Sequence, residues 1–177
     1  AHYNLGIASY ELDKYEEAIK SYKHAIRIDP DLAEAHYNLG AAYYMLGRYQ
    51  EAIKSYKLAI RIDPEDREAH CGLGHACNSL GKYKEAIEAF KQAIRLDPDD
   101  AEVHNSLGAA YGELGMHKEA IESFKQAVRI NPDYADAHYN LGNAYHELGK
   151  YKEEIESYKQ AIRINPDYAD AHYNLGL

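Results

Sequence analysis

The hexapeptide AHYNLG, residues 35–40, occurs four times in this chain. Together with the variants AHCGLG and VHNSLG, its copies begin at residues 1, 35, 69, 103, 137 and 171. Successive copies are therefore 34 residues apart along the whole chain. A period of this length indicates an array of repeated supersecondary units, each of which stacks on its neighbours to bury its apolar face.

Other residue types follow the same period. All five prolines do so, as does one aromatic residue in each repeat: Pro30, Pro64, Pro98, Pro132, Pro166, Tyr22, Tyr56, Phe90, Phe124 and Tyr158. The sequence therefore predicts a single domain over residues 1–177. Its repeats are expected at residues 1–32, 33–66, 67–100, 101–134 and 135–168, followed by a partial repeat at 169–177.

The repeat at residues 33–66 shows why each unit is expected to be a pair of helices. In its first half, helical periodicity gathers one packed stripe, which consists of Ala35, His36, Leu39, Gly40, Ala42, Tyr43 and Leu46. Gly47 then supplies a residue that readily ends a helix in the left-handed conformation. The second half has its own packed stripe, which consists of Tyr49, Ala52, Ile53, Tyr56, Ala59 and Ile60. Asp63-Pro64 ends this second helix, because proline disfavours a helical residue before it.

A helix pair with glycine at its first turn and proline at its second resembles the tetratricopeptide repeat (TPR), and the resemblance covers the whole chain. In residues 33–66 the motif positions are His36, Leu39, Gly40, Tyr43, Ala52, Tyr56, Ala59 and Pro64. Histidine departs from the family, where a larger residue is common, at His2, His36, His70, His104, His138 and His172. The resemblance implies an all-α fold. It would be an α-solenoid, a right-handed superhelix of stacked antiparallel helix pairs whose first helices line a concave groove.

Function is expected on the open face of the first helices, opposite the packed stripe. The candidate peptide-binding residues on this face are Glu34, Tyr37, Asn38, Tyr44, Glu68, Cys71, His75, Asn78, Glu102, Asn105, Tyr139, Asn140, Asn143 and His146. The third and fourth repeats carry smaller residues here, among them Gly72 and Gly112. We therefore expect a hollow midway along the groove.

Tyrosine and asparagine suit an extended peptide, because a phenol ring offers apolar contact area and an amide offers both a donor and an acceptor. The Asn38 column also resembles the asparagine ladder in the repeat array of protein O-GlcNAc transferases, although Gly72 and Ser106 replace two of its rungs. The dicarboxylate clamp of chaperone adaptors, which needs Lys or Arg on this face, is absent.

Charge indicates the sign of the partner. The net charge is −9, and Arg67 is the one Lys or Arg expected in a first helix. Acids near the carboxyl ends of first helices, at Glu11, Glu113 and Glu147, oppose the helix dipole and so favour a cationic ligand. We expect a polar or basic peptide and no nucleic acid, whose recognition depends on basic residues.

No stretch of the sequence predicts catalysis, a metal or a cofactor, and no enzyme activity is expected. In HCGLGHAC, residues 70–77, Cys71 and His75 have the spacing of two metal ligands, but His70 and Cys77 turn to the packed side. No apolar run reaches the length of a membrane helix, so no membrane partner is expected. The two cysteines favour a reducing compartment, with the cytoplasm as the default.

Two further features generate expectations. The chain begins and ends inside the repeated hexapeptide, which suggests a segment of a longer array with uncapped, apolar ends that associate end to end. Glu154 stands where Ala18, Ala52, Ala86 and Ala120 pack between helices. Because a buried unpaired carboxylate is costly, we expect the fifth repeat to splay there or to let Glu154 reach water.

The sequence thus predicts a protein–protein interaction scaffold that binds an extended polar or basic peptide in its groove. Two alternatives stay open. One is a substrate-recruiting segment of a larger enzyme such as a glycosyltransferase, and the other is a self-associating repeat module without a dedicated ligand.

Overall fold

The computed structural model describes residues 1–176, which form α-helices and turns and no strand. Contacts divide the chain into two compact units, Ala1–Leu96 (unit 1) and Asp97–Leu177 (unit 2, described to residue 176). Unit 1 contains α1 (His2–Glu11), α2 (Tyr15–Ile28), α3 (Ala33–Met45), α4 (Tyr49–Ile62), α5 (Arg67–Ser79) and α6 (Tyr83–Leu96). Unit 2 contains α7 (Ala101–Glu113), α8 (His117–Ile130), α9 (Ala135–Glu147), α10 (Tyr151–Ile164) and α11 (Ala169–Leu175).

Within each unit, every helix packs against the next helix in the chain. Odd-numbered helices are the first helices of the repeats and even-numbered helices are the second ones. First helices of neighbouring repeats also touch, as α1 touches α3 and α7 touches α9. Each helix pair therefore buries its apolar stripe against both its own partner and the adjacent repeat.

The turn between the two helices of a pair depends on one left-handed residue, as predicted. Gly47, Gly81, Gly115 and Gly149 have φ angles of 66° to 71°, and Asp13 takes the same role at φ 57°. In this conformation the Gly47 N–H donates to the Tyr44 carbonyl and the Arg48 N–H donates to the Tyr43 carbonyl, both at 2.9 Å. These bonds satisfy carbonyl groups that the end of α3 would otherwise leave unpaired.

The turn between repeats is held by two side chains and one proline carbonyl that recur along the chain. An Asp or Asn before each proline accepts a hydrogen bond from the N–H two residues later, as Asp63 does from Glu65 at 3.0 Å. A histidine on the following helix then contacts the proline carbonyl, as His70 Nε2 does with Pro64 at 3.0 Å. The same contact, at 2.8–3.0 Å, joins His36, His104, His138 and His172 to the proline six residues earlier.

This contact explains why histidine occupies the column. A carbonyl oxygen can only accept, so Nε2 is the protonated ring nitrogen and donates to the proline carbonyl. The sequence predicted these histidines as packing residues. The structure adds that they tie the start of each first helix to the turn before it.

Each helix pair closes on a contact between a glycine and an aromatic ring. A Cβ atom added at Gly6, Gly40, Gly74, Gly108 or Gly142 would lie only 2.4–2.8 Å from a ring atom of the paired second helix. The rings concerned are those of Tyr22, Tyr56, Phe90, Phe124 and Tyr158, all of which are buried. Glycine is therefore required for the helices to approach this closely.

The packed stripes agree with the prediction, with one exception. Ala35, Leu39 and Tyr43 in α3 and Ala52, Ile53 and Tyr56 in α4 are buried. Leu46 was expected in the stripe, but it is 37% exposed. The reason is that α3 ends at Met45, so that Leu46 belongs to the turn and no longer follows the helical period.

The glycine–ring contact can be tested with two glycines of α7. Gly108→Ala places a methyl group against the Phe124 ring, and we expect it to lower the free energy of unfolding by about 1–3 kcal/mol. Gly112→Ala is the matched control, because a Cβ there meets nothing within 4 Å. Removing a helical glycine should then raise stability by about 0.5–1 kcal/mol. Urea unfolding midpoints compare the two variants, and equal midpoints would contradict the close-approach argument.

Candidate functional site

The open face of the first helices carries tyrosines that lean on rings of the second helices. In unit 1 the Tyr37 ring lies 5.8 Å from the Tyr56 ring, and the Tyr44 ring lies 5.3 Å from the Tyr49 ring. Both Tyr37 and Tyr44 are half-buried. Each therefore presents one side to solvent while its position is fixed from behind.

The asparagines of this face form a side-chain ladder between neighbouring repeats. Asn38 Nδ2 donates to the Tyr3 hydroxyl at 2.9 Å, and Asn140 Nδ2 donates to Asn105 Oδ1 at 3.1 Å. Asn174 Nδ2 repeats the pattern with the Tyr139 hydroxyl at 3.5 Å. In all three cases the acceptor residue lies 35 positions earlier in the chain. The amide groups are thus oriented by the protein itself before any ligand arrives.

Two tyrosines missed by the sequence analysis also belong to this face. Tyr134 and Tyr168 occupy the position just before a first helix, where Asp66 and Asp100 act as amino-terminal caps. The Tyr134 hydroxyl accepts from Asn105 Nδ2 at 3.4 Å. Tyr168 stacks on Tyr139 at 5.1 Å and donates to Asp136 Oδ1 at 2.7 Å. The sequence feature that could have revealed them is a tyrosine at a repeat position where other repeats carry a helix-capping aspartate.

The hydroxyl groups of these tyrosines stay protonated, so they remain hydrogen-bond donors. Burial raises the pKa of Tyr37, and the carboxylates of Asp66 and Glu68 raise it further. Burial also raises the pKa of Tyr134, with an added contribution from Glu102. The pKa of Tyr168 is raised by burial and then by its hydrogen bond to Asp136. Carboxylates alone therefore give this face its negative charge.

The predicted acidic columns lie at the surface. Glu34, Glu102 and Asp136 are exposed near the amino ends of their helices, whereas Glu68 forms an ion pair with Arg67 at 2.9 Å. Glu113 and Glu147 are exposed at the last residues of α7 and α9. The helix dipole disfavours a negative charge at the carboxyl end of a helix, so it does not explain Glu113 and Glu147. These two residues are therefore stronger candidates for binding a ligand than the acids at the amino ends.

The remaining candidates in α5 do not form one cluster. Cys71 and Asn78 are half-buried, and the exposed His75 ring contacts the Phe90 ring edge-on at 5.1 Å. Asn78 Oδ1 is buried without a hydrogen-bond partner among the described residues. Burial raises the pKa of the neighbouring Cys77 thiol to about 11. No group of three or more potential metal ligands is assembled by residues 1–176.

The expected hollow exists at Gly112 and is absent at Gly72. A Cβ atom at Gly72 would lie 2.5 Å from the Tyr56 ring, so that ring fills the space left by the small residue. The prediction is therefore wrong at Gly72. At Gly112, in contrast, a hollow of about 320 Å³ opens beside Glu113, His117, Asn140, Asn143 and Glu147. We name it the fourth-repeat hollow.

The fourth-repeat hollow has a simple cause. In the first two repeats a pair of tyrosine rings fills this end of the hairpin, Tyr10 with Tyr15 at 5.2 Å and Tyr44 with Tyr49 at 5.3 Å. The fourth repeat has Gly112 in the first of these positions, so the pair cannot form.

A second hollow, of about 420 Å³, lies in the next repeat and is lined by Asn143, His146, Glu147, Glu154, Tyr158 and Asn174. We name it the fifth-repeat hollow. The Tyr158 hydroxyl donates to Asn143 Oδ1 at 2.7 Å and accepts from Asn174 Nδ2 at 3.3 Å. Burial raises the pKa of Tyr158, and the Asn174 bond offsets part of this shift. The two hollows share Asn143 and Glu147 and are therefore neighbours.

The structure corrects one half of the expectation for Glu154, the splayed repeat, and agrees with the other half, because the carboxylate lines a hollow. Glu154 is only 9% exposed, and α9 and α10 pack together as the other pairs do, so the repeat does not splay. The carboxylate is partnered instead: Glu154 Oε1 lies 3.0 Å from His146 Nδ1. Because a carboxylate accepts, Nδ1 carries the proton. The His146 side chain itself is 59% exposed at the edge of the hollow.

Comparison with known proteins identifies the family. The family model of the cilia and flagella-associated protein 70 C-terminal domain, a TPR family, matches residues 1–176. The chain belongs to this TPR family. No curated protein matches the chain.

Solved structures agree with this assignment. MamA is 29% identical over 94% of this chain and 97% of that one, with a TM-score of 0.89. YrrB, described as a TPR protein with an unusual peptide-binding site, is 27% identical over 99% of this chain and 91% of that one, with a TM-score of 0.90. TTC0263, a thermophilic TPR protein of Thermus thermophilus, shares the fold at 24% identity over 98% of this chain and 94% of that one, with a TM-score of 0.69.

These matches confirm the predicted TPR repeats and the all-α solenoid class, and they make the chain a protein-binding scaffold. The resemblance of its asparagines to those of O-GlcNAc transferases stays a prediction. None of the helices within residues 1–176 combines the length and the apolar character that crossing a membrane requires.

The effect of the buried Glu154 carboxylate on stability can be tested by replacing Glu154 with the alanine that the other repeats carry. Ala18, Ala52, Ala86 and Ala120 are fully buried in the equivalent position. We expect Glu154→Ala to raise the free energy of unfolding by about 1 kcal/mol, because a buried charge disappears while His146 stays in water. Thermal unfolding measures the change. A lower melting temperature would mean that the His146–Glu154 pair stabilises the repeat.

Proposed function

We propose that the chain binds an extended polar or basic peptide along the open face of its first helices. The observation that carries the proposal is the side-chain ladder of Asn38, Asn140 and Asn174. Each amide nitrogen is bound to the preceding repeat, and among the described residues the amide oxygens of Asn38 and Asn140 accept no hydrogen bond. Each of these oxygens can accept from a backbone N–H group of a guest peptide.

The half-buried tyrosines complete this surface. Tyr37 and Tyr139 stand beside the ladder, and each is supported by a ring of a second helix. A ring fixed in this way loses little conformational entropy when a ligand covers it. The arrangement therefore favours a partner that lies flat across several repeats.

The acidic groups select the charge of the partner. Glu34, Glu102 and Glu147 are exposed, and a basic peptide could form ion pairs with the acidic groups that it reaches. The peptide-binding site named for the similar protein YrrB also supports a peptide ligand.

The proposal predicts salt-sensitive binding of basic peptides. In fluorescence anisotropy, a labelled Arg/Lys/Gly/Ser peptide should bind, and its affinity should fall by about tenfold between about 50 and about 500 mM salt. An Asp/Glu/Gly/Ser peptide of equal length should not bind. Salt-independent binding of the acidic peptide would refute the assigned charge.

A variant of the open face tests the location. Combined replacement of Tyr37, Asn38 and Tyr44 by alanine should weaken binding of the basic peptide by roughly tenfold, because it removes two rings and one rung of the ladder. The control carries Gln50→Ala and Lys54→Ala, two solvent-accessible residues of α4. Circular dichroism shows whether both variants keep their helices. Equal affinities of the two variants would place the peptide elsewhere.

Self-association is the second candidate function, because apolar side chains are exposed at both terminal helices and on α10. Leu5 in α1, Ile155 in α10 and Tyr173 in α11 are 56%, 43% and 84% exposed. If these surfaces pair end to end, sedimentation should show a mass that rises with concentration, and Ile155→Glu with Tyr173→Glu should abolish the rise. A monomer mass that stays constant as the concentration rises would contradict self-association. A role as the substrate-recruiting segment of an enzyme stays a prediction, as does the absence of enzyme activity.

A further inference from the structure

We propose that the fifth-repeat hollow is a subsite for one arginine side chain of the bound partner. The inference rests on the proposed function, which brings a peptide to this face. It adds which amino-acid type of that peptide the fifth repeat binds.

Three residues of the hollow are found at their positions in no other complete repeat, and one of them, Glu154, departs from an otherwise constant alanine. Asn143 replaces Ile7, Ala41, His75 and Ala109 of the other repeats, and His146 replaces Tyr10, Tyr44, Asn78 and Gly112. Glu154 replaces alanine in all four. The structure brings these three departures, which lie on two helices, to one cavity. Independent drift at solvent-exposed positions would not have placed a carboxylate in a buried column.

The hydrogen bonds within the hollow show which groups remain for a ligand. Asn143 Oδ1 already accepts from Tyr158 and from Asn174 Nδ2, the latter at 3.4 Å. Glu154 Oε1 accepts from His146. Among the described residues, the second oxygen of Glu154 and both oxygens of Glu147 have no side-chain donor. Two carboxylates that line one cavity thus keep unused acceptor capacity.

The charge of the lining selects a cation. Glu147 and Glu154 both carry negative charge, and neither Lys nor Arg lines the hollow. Lys159 lines a different hollow, on the side of Glu154 that also contains Ile155. Two carboxylates would repel an anionic ligand, whereas a cation would be attracted to both of them.

A guanidinium fits this geometry better than an ammonium group. Its five N–H donors lie in one plane and can bridge two carboxylates, and the flat group can stack on the exposed His146 ring. The lysine ammonium is a compact point charge that is more strongly hydrated. The volume of about 420 Å³ exceeds that of one side chain and leaves room for water molecules between the guanidinium and the carboxylates.

The position of the hollow agrees with a peptide that crosses α9. Asn143 and Glu147 line both the fourth-repeat and the fifth-repeat hollow. A chain that follows the asparagine ladder from Asn140 to Asn174 would therefore pass the mouth of the fifth-repeat hollow.

The test uses three peptides of equal length in a Gly/Ser/Asn context, with arginine, lysine or citrulline at the centre. Citrulline keeps the shape of arginine and removes its charge. The arginine peptide should bind about tenfold more tightly than the citrulline peptide and a few-fold more tightly than the lysine peptide. In Glu154→Ala and Glu154→Gln the preference for arginine over citrulline should fall by several-fold, and Glu147 accounts for the part that remains.

Glu156→Gln is the matched control, because it removes an equal charge from an exposed residue of the same helix that does not line the hollow. It should leave the arginine preference unchanged. If Glu154→Ala unfolds later than the parent protein and yet loses most of the arginine preference, damage to the fold cannot explain the loss. Equal binding of arginine and citrulline, tighter binding of lysine, or an unchanged preference in both Glu154 variants would overturn the proposal.

The proposed function and the subsite can fail separately. If the combined Tyr37, Asn38 and Tyr44 variant weakens all three peptides while arginine and citrulline bind equally, the subsite is refuted and the peptide-binding face stands. If no peptide binds, N-acetyl-arginine methylamide is titrated instead and the side-chain amide NMR signals of Asn143 and Asn174 are followed. Shifts that become smaller in Glu154→Gln would support the subsite alone, and no shifts would refute it.

Discussion

The contact between a glycine of each first helix and an aromatic ring of its second helix is the constraint on which the rest of the structure depends. Since a single methyl group at Gly40 would overlap the Tyr56 ring, the distance between the two helices is set by the smallest possible side chain. The same contact recurs in every complete helix pair, and it supports the open-face ring next to it, as Tyr56 supports Tyr37. The packing of the interior therefore determines how far the tyrosines of the open face project.

A second recurring contact joins each repeat to the turn that precedes it. The histidine on a first helix binds the proline carbonyl six residues earlier, while the Asp or Asn before that proline binds the backbone of the turn. These bonds fix the start of the first helix and, with it, the acidic residue of its first turn. The short stretch of sequence that connects two repeats thus sets both the packing of the turn and the position of that acidic residue.

Much of this could be predicted from the sequence, because glycine, proline and the apolar period act locally. The helix pairs, the left-handed turn residues and the open-face columns all follow from such signals. Apart from Leu46, which lies beyond the end of its own helix, the predictions that failed depended on neighbours outside the helix under consideration. Gly72 gives no hollow because Tyr56 of the preceding helix pair occupies the space, and Glu154 is not unpaired because His146, on the other helix, reaches it. Tyr134 and Tyr168 were missed because their position normally holds a helix cap.

The Glu154 column shows how an array of similar repeats can acquire a specific site. In a repeat protein each unit contacts only its neighbours, so a local loss of stability is not multiplied through the chain. Four repeats keep a buried alanine in this column and one carries a carboxylate, together with His146 and Asn143 nearby. A buried charge that costs stability persists in natural sequences chiefly where it serves binding or catalysis. On the proposal of an arginine subsite, the expected cost of Glu154 is the cost of recognising a cation at one repeat of the array.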